Sequence, residues 1–298
     1  MPSTKEMKSR IKGVKSTGKI TRAMEMISAV KMRKAVAQAL AMRPYAENAL
    51  GIFEQLTEKL SGEVHPLLTV RPITRELYVV IGSHRGLCGA FNTQIGRKLR
   101  ALLVEDAQAN REPVFVAVGR KAEMITRRQA GTILASFPEA VLTPTIENVR
   151  PIARLIQEEF TSGRIDRVVV VYTHFMSALR QDVKVWALLP AAVKDTEKAF
   201  ASHAQAEQQG VNAEYIIEPE AEKVLNRLIP HLIEIELLDA ILESNASQEA
   251  ARMVAMRNAS DAARDMVEDL TLAYNQLRQA KVTQEIAELS AGMAAVSG

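Results

Sequence analysis

Apolar and small residues recur along the first sixty positions in steps of four and three: Met7, Ile11, Val14, Gly18 and Thr21, continued in steps of three by Met24, Ile27 and Val30. So narrow a stripe reads as one helix over 3–58 with a coiled-coil seam rather than a broad core face. Ser3 or Thr4 offers the N-cap. Pro44 is expected to interrupt or kink the helix, and Gly62, Pro66 and Pro72 to end the segment. From 76 to 190 the period changes. Short β-branched runs stand at 77–81, 114–118, 132–137, 168–172 and 183–189, with helical stretches near 90–108, 119–129 and 145–162 between the first four. Strand and helix in alternation predict a parallel sheet covered by helices. Only Thr173–Asp182 separates the last two runs, too short for a helical crossover, so they should pair as an antiparallel hairpin. Residues 191–212 are polar, rich in Ala and Gln and without a period, and read as a loop or linker.

Helical character returns over 219–296, with Pro219 suited to a first turn and Pro230 to a break near which the uninterrupted part begins. Residues 231–296 as one helix would span ~100 Å. A helix of that length needs a long partner, and the N-terminal helix is the available one. The expected fold is α/β with long helices: an antiparallel coiled coil of the N- and C-terminal helices with a Rossmann-like α/β domain inserted between them. Its regions are 1–60 (N-terminal helix), 76–190 (α/β domain), 191–218 (linker) and 219–298 (C-terminal helix).

Composition adds three constraints. Aromatics make up 4% of the 298 residues, which suits long helices better than a large globular core. No apolar run reaches the ~18 residues of a membrane span, and the N-terminus has neither a secretory apolar stretch nor a convincing transit-peptide pattern. A single cysteine, Cys88, excludes an intramolecular disulfide, and the five histidines fall in no metal-ligand spacing. Charge is uneven: residues 1–43 carry eleven Lys or Arg against Glu6 and Glu25, a local net of +9 within a chain of +3. Such a segment is either a solvated helix face or one that meets an acidic partner, nucleic acid being one candidate.

Chemistry is hard to place. Gly82, Gly86 and Gly89 follow the first strand where phosphate loops sit, but the spacing GxxxGxxG matches neither GxGxxG nor GxxxxGK[ST]. A structural turn at Gly86-Leu87-Cys88-Gly89 is the better reading, with Cys88 as a small buried hydrophobe. Met24, Met26, Met32, Met253, Met256 and Met266 stand at helical spacing and suit packing better than metal ligation. No catalytic, cofactor-binding or metal-binding residue is assigned. A nucleic-acid-binding coiled coil and a Rossmann-like enzyme with helical extensions are the competing classes; the first is weakened by scarce aromatics, the second by the missing motif.

Four segments carry a resemblance: RIKGVKSTGKITRAMEMISAVKMRKA (10–35), GSHRGLCGAFNTQI (82–95), SQEAARMVAMRNASDAARDM (247–266) and LAYNQLRQAKVTQEIAEL (272–289). In this order and at these separations they resemble the γ subunits of F-type ATP synthases, of the bacterial or mitochondrial rather than the redox-regulated chloroplast type. One departure is Met293 after Gly292, where the family usually has Gly-Ala. The resemblance implies a non-catalytic rotor shaft without cofactors. It turns within three α and three β subunits, with a bacterial ε subunit and the membrane c-ring as further partners, and without nucleic acid. It would couple ion flow through the ring to ATP synthesis or hydrolysis at the β subunits. It would lie peripherally on the cytoplasmic face of a bacterial inner membrane, or the matrix face in a mitochondrion. By the same resemblance Met24, Arg252, Gln279, Thr283 and Glu285 touch β subunits, and Tyr215 and Glu218 face the ring.

Overall fold

The computed structural model describes residues 3–59, 65–138, 144–191 and 220–297. The elements in order are α1 (Thr4–Lys59), a 3-10 turn (Pro66–Leu68), β1 (Arg75–Ile81), α2 (Phe91–Gln108), β2 (Glu112–Val118), α3 (Arg120–Thr126), β3 (Thr132–Phe137), α4 (Ile146–Thr161), β4 (Arg167–Phe175), β5 (Gln181–Leu189) and α5 (Ala221–Ser297). The linker read over 191–218, with Tyr215 and Glu218, lies outside the described residues but for Ala191. The chain groups into two compact units, Ala29–Ala251 and a second made of Met1–Ser28 with Arg252–Gly298, so both long helices contribute to both.

Within Ala29–Ala251 the five strands lie in the order β3-β2-β1-β4-β5. The first four are parallel, and β5 returns antiparallel to β4, as the short connection requires. The central strands β1, β2 and β4 are apolar almost without alternation because both faces are covered. Leu77, Val79, Ile81, Val116, Val168 and Val170 face α4, the first turns of α5 and the end of α1, through Ile152, Ile156, Phe160, Leu225, Ile229, Ala46, Ala49 and Phe53. Tyr78, Val80, Phe115, Ala117, Val169 and Val171 face α2 through Phe91, Ile95 and Leu99, and α3 through Ala122.

Neither Pro44 nor Pro230 ends its helix. Pro230 removes one backbone donor and in isolation would cost about 3 kcal/mol. Leu225, Ile229 and Leu232 around it are buried, worth about 1.5–3 kcal/mol each, and the Gln157 side chain donates to the Pro230 carbonyl at 3.1 Å. Pro44 sits in α1 beside Tyr45, whose hydroxyl meets His231 Nε2 at 2.7 Å. Packing overrides local preference in both places. From Ile235 to Ala250 α5 has no exposed residue at all. His174 Nδ1 pairs with Glu243 at 2.7 Å, and Ser247 donates to the Thr173 carbonyl at 3.1 Å, tying this stretch to β4.

In the other unit α1 and α5 pair as an antiparallel coil in which Gly18 lies against Ala263; a β-carbon at Gly18 would stand 3.4 Å from that of Ala263. The Ser3 hydroxyl caps α1 by accepting from the Glu6 amide at 3.2 Å. The seam departs from the expected one after Thr21. Ile27 and Val30 are 55% and 58% exposed, while Ser28 is buried. Buried or half-buried positions in this unit instead run with a strict period of seven: Met7, Val14, Thr21 and Ser28, with Ile11, Gly18 and Glu25 as the second set. Small side chains at Thr21 and Ser28 continue the seam where the larger apolar residues turn outward, because close approach of two backbones favours size over hydrophobicity at those positions.

Candidate partner-contact surfaces

The turn after β1 is a structural device. Gly82 donates its amide to the Val118 carbonyl at 2.9 Å, and a β-carbon there would meet the Ala122 amide at 2.8 Å, so β1 and α3 approach only through glycine. Leu87 and Gly89 both adopt left-handed φ, 63° and 56°. Leu87 bears the strained conformation while 63% exposed, whereas Gly86 has open space around it and needs no special φ. Cys88 is buried and accepts a hydrogen bond from Asn92 Nδ2 at 3.1 Å; Asn92 Oδ1 accepts from the Ser83 amide at 3.1 Å. The thiol is therefore part of the packing. A cavity of about 360 Å³ at the ends of β1, β2 and β3 is lined by Ile81, Val118, Phe137, Val149, Ile152 and Ile241, with His84, Asn148, Asn245 and Gln248 as polar members. Its described lining holds no Lys or Arg, which suits no phosphate.

Titratable groups inside the fold serve structure. Tyr78 donates its hydroxyl to Asp106, and Glu76 lies 3.3 Å from Arg111 and 3.6 Å from Arg167. Burial raises the Glu76 carboxyl, with the two guanidiniums opposing the shift in part. Glu236 on α5 is buried, which pushes its carboxyl up to about 8, the nearby Asp239 charge adding to the effect.

The outward surfaces are more informative. Lys5, Lys8, Lys12, Lys15 and Lys19 stand exposed along α1, where the described ion pairs are Arg10–Glu6 at 2.7 Å and Arg22–Glu25 at 3.0 Å. Met24 is half-buried beside the seam, next to an outward apolar strip of Ile20, Ile27 and Val30. On α5, Gln279, Thr283 and Glu285 are all exposed; Thr283 donates back to the Gln279 carbonyl at 3.0 Å, and Glu285 lies 3.7 Å from Lys281. Arg252 differs, being 7% exposed and engaged within the chain. It lies twenty-seven residues from Gln279, ~40 Å along the helix, so the two do not share one contact. Sequence reasoning missed the largest feature here. From Arg278 to Met293 every residue of α5 is exposed, and Val282, Ile286, Leu289 and Met293, in steps of four, three and four, make an apolar stripe. The spacing was visible in the sequence; that these side chains stand exposed among the described residues was not.

A family model described as ATP synthase matches residues 3–296. The chain is 40% identical over 300 residues to an ATP synthase gamma chain of Acidithiobacillus ferrooxidans, covering 99% of this chain and all of that one. It is 37% identical over 296 residues to that of Heliobacterium modesticaldum, again across 99% and 100%. The chain belongs to the ATP synthase gamma-chain family. As a gamma chain it is a central-stalk subunit and not the catalytic one. Among solved structures, a chain of the Tetrahymena thermophila mitochondrial ATP synthase central stalk and c-ring aligns with a TM-score of 0.59 at 26% identity, over 81% of this chain and 99% of that one. A chain of the Euglena gracilis mitochondrial ATP synthase, in an assembly of OSCP, F1 and c-ring, shares the fold with a TM-score of 0.67 at 20% identity, over 98% and 94%. No helix among the described residues is long and apolar enough to cross a membrane.

Proposed function

We propose that this gamma chain works as the rotor shaft of an F-type ATP synthase, turning within a head of three α and three β subunits and coupling ion flow through the c-ring to ATP synthesis or hydrolysis on β. The observation that carries the reading is the bare end of α5. Four large apolar side chains on an otherwise exposed helix gain about 1.5–3 kcal/mol each when covered. A sleeve of other subunits around that end supplies the cover. The exposed lysines of α1 suit an acidic lever on β, held by exposed pairs worth about 1 kcal/mol or less each, weak enough to release at every step. A contact that differs with angle is what biases a β subunit between states.

In this reading Met24, Gln279, Thr283 and Glu285 offer accessible side chains to β. Arg252 is buried, and its place in the set rests on resemblance. Tyr215 and Glu218, outside the described residues, face the c-ring or the ε subunit. The chain binds no nucleic acid and no cofactor, and sits peripherally on the cytoplasmic face of a bacterial inner membrane, or the matrix face in a mitochondrion. The test is reconstitution with matching α and β subunits. ATP-driven ion pumping should depend on this chain, and the pure chain should hydrolyse no ATP. Hydrolysis by the chain alone, or pumping without it, refutes the reading.

A further inference from the structure

α4 and the first turns of α5 enclose an open groove of about 990 Å³ lined by Arg150, Arg154, Lys223, Arg227 and His231, with Val224, Leu228 and Pro230 as its apolar part and Glu234 as the one acidic residue of the described lining. The cations are arranged at cost to their helices. Arg150 and Arg154 are four residues apart on α4, and Lys223 and Arg227 four apart on α5, spacings at which like charges repel. Lys223 also stands in the first turn of α5, where the positive end of the helix dipole disfavours a cation. Compensation among the described residues is partial. Glu234 takes Arg150 at 3.2 Å and His231 Nδ1 at 3.2 Å, while the other ring nitrogen of His231 meets Tyr45. Glu220 takes Lys223 at 3.0 Å. Arg154 and Arg227, one from each wall, have no carboxylate partner among the described residues.

We propose that this groove binds a phosphate dianion, free or as the terminal phosphoryl group of a larger molecule, bridged by Arg154 and Arg227 and flanked by Arg150 and Lys223. The two unmatched guanidiniums supply the two charges a dianion needs, and their forked donors fit the geometry of phosphate oxygens. The site lies on the opposite helix pair from the glycine turn after β1 and shares no residue with it.

The test titrates the full chain with inorganic pyrophosphate by calorimetry at low ionic strength, beside the Arg154→Ala/Arg227→Ala double variant. Both side chains are exposed, so the variant keeps its fold, which circular dichroism checks. Saturable one-site binding, weakened about tenfold or more in the double variant and less in Arg154→Lys/Arg227→Lys, supports the site. An ADP arm separates the sources: tighter binding than pyrophosphate assigns a nucleotide, equal or weaker binding the free anion. Unsaturable binding, an unchanged titration in the double variant, or binding only to phosphatidylglycerol vesicles overturns it.

Discussion

Glu236 gives the sharpest physical test of the fold. Its carboxyl is buried on α5 among Leu232, Ile233, Leu237 and Ala240, with burial and the Asp239 charge holding it protonated up to about 8 against 4.5 in the unfolded chain. The folded state therefore binds the proton more tightly than the unfolded one, and stability falls as pH rises from 4.5 to 8. Below 4.5 both states are protonated and nothing is lost; above 8 the loss is complete. A shift of about 3.5 units at about 1.4 kcal/mol each puts the full loss at about 5 kcal/mol, of which about 3 is already present at pH 7. Glu236→Gln keeps the shape and removes the titration. Urea unfolding of the full parent and variant chains at pH 4, 7 and 9, at constant ionic strength, should give a stability difference that is small at pH 4, grows to pH 8 and is level beyond. A difference that stays constant across this range would mean that Glu236 is ionised in the fold or reached by water, and the reasoning would fail.

Four further outcomes are expected. Tyr78→Phe leaves the buried Asp106 oxygen without its donor and should lower unfolding stability by about 1–3 kcal/mol; a loss under about 0.5 kcal/mol would show the hydroxyl to be dispensable. Gly18→Ala should be neutral or stabilising by up to about 1 kcal/mol, the β-carbon just fitting against Ala263, whereas Gly18→Leu should force the coil apart and lower the melting temperature. Ile286→Ser/Leu289→Ser should leave the stability of the chain alone within about 0.5 kcal/mol, as these residues are exposed in it, yet weaken co-purification with α and β subunits; unchanged assembly would remove the argument for a sleeve. Met24→Lys should add an ion pair with an acidic lever and lower the ratio of ATP-driven pumping to hydrolysis, without unfolding α1. An unchanged ratio, with and without Glu285→Gln, would reduce Met24 to seam packing.

The strands were legible because each is a β-branched run bounded by turn residues, and the hairpin because Thr173–Asp182 is too short for anything else. What escaped the sequence was decided by neighbours distant in the chain. Hydrophobicity pointed to Ile27 and Val30 as the seam beyond Thr21, but the pairing of two closely packed backbones selected Ser28. Pro44 and Pro230 read as breaks because the side chains that hold their helices together come from other elements. The glycine turn reads as structural in the sequence, and the left-handed φ falls on Leu87 and Gly89 rather than on Gly86, a matter of local φ that composition does not carry. The contact residues came from family resemblance. Their exposure could be learned only from the fold, which leaves Gln279, Thr283 and Glu285 open and closes over Arg252.

The stretch of α5 from Ile235 to Ala250 has a mechanical meaning. A helix packed along a single stripe can roll about its own axis, since its other sides touch only water. Here residues on every side of the helix are enclosed over sixteen positions, ~24 Å of its length. Ile235, Glu236, Leu237 and Leu238 follow one another at steps of about 100° around the axis, and each is buried. The helix is seated like a splined axle in its hub. A twist along α5 in this stretch must drag the sheet with it, because close-packed side chains interlocked all around the axis leave no empty direction into which the helix could slip.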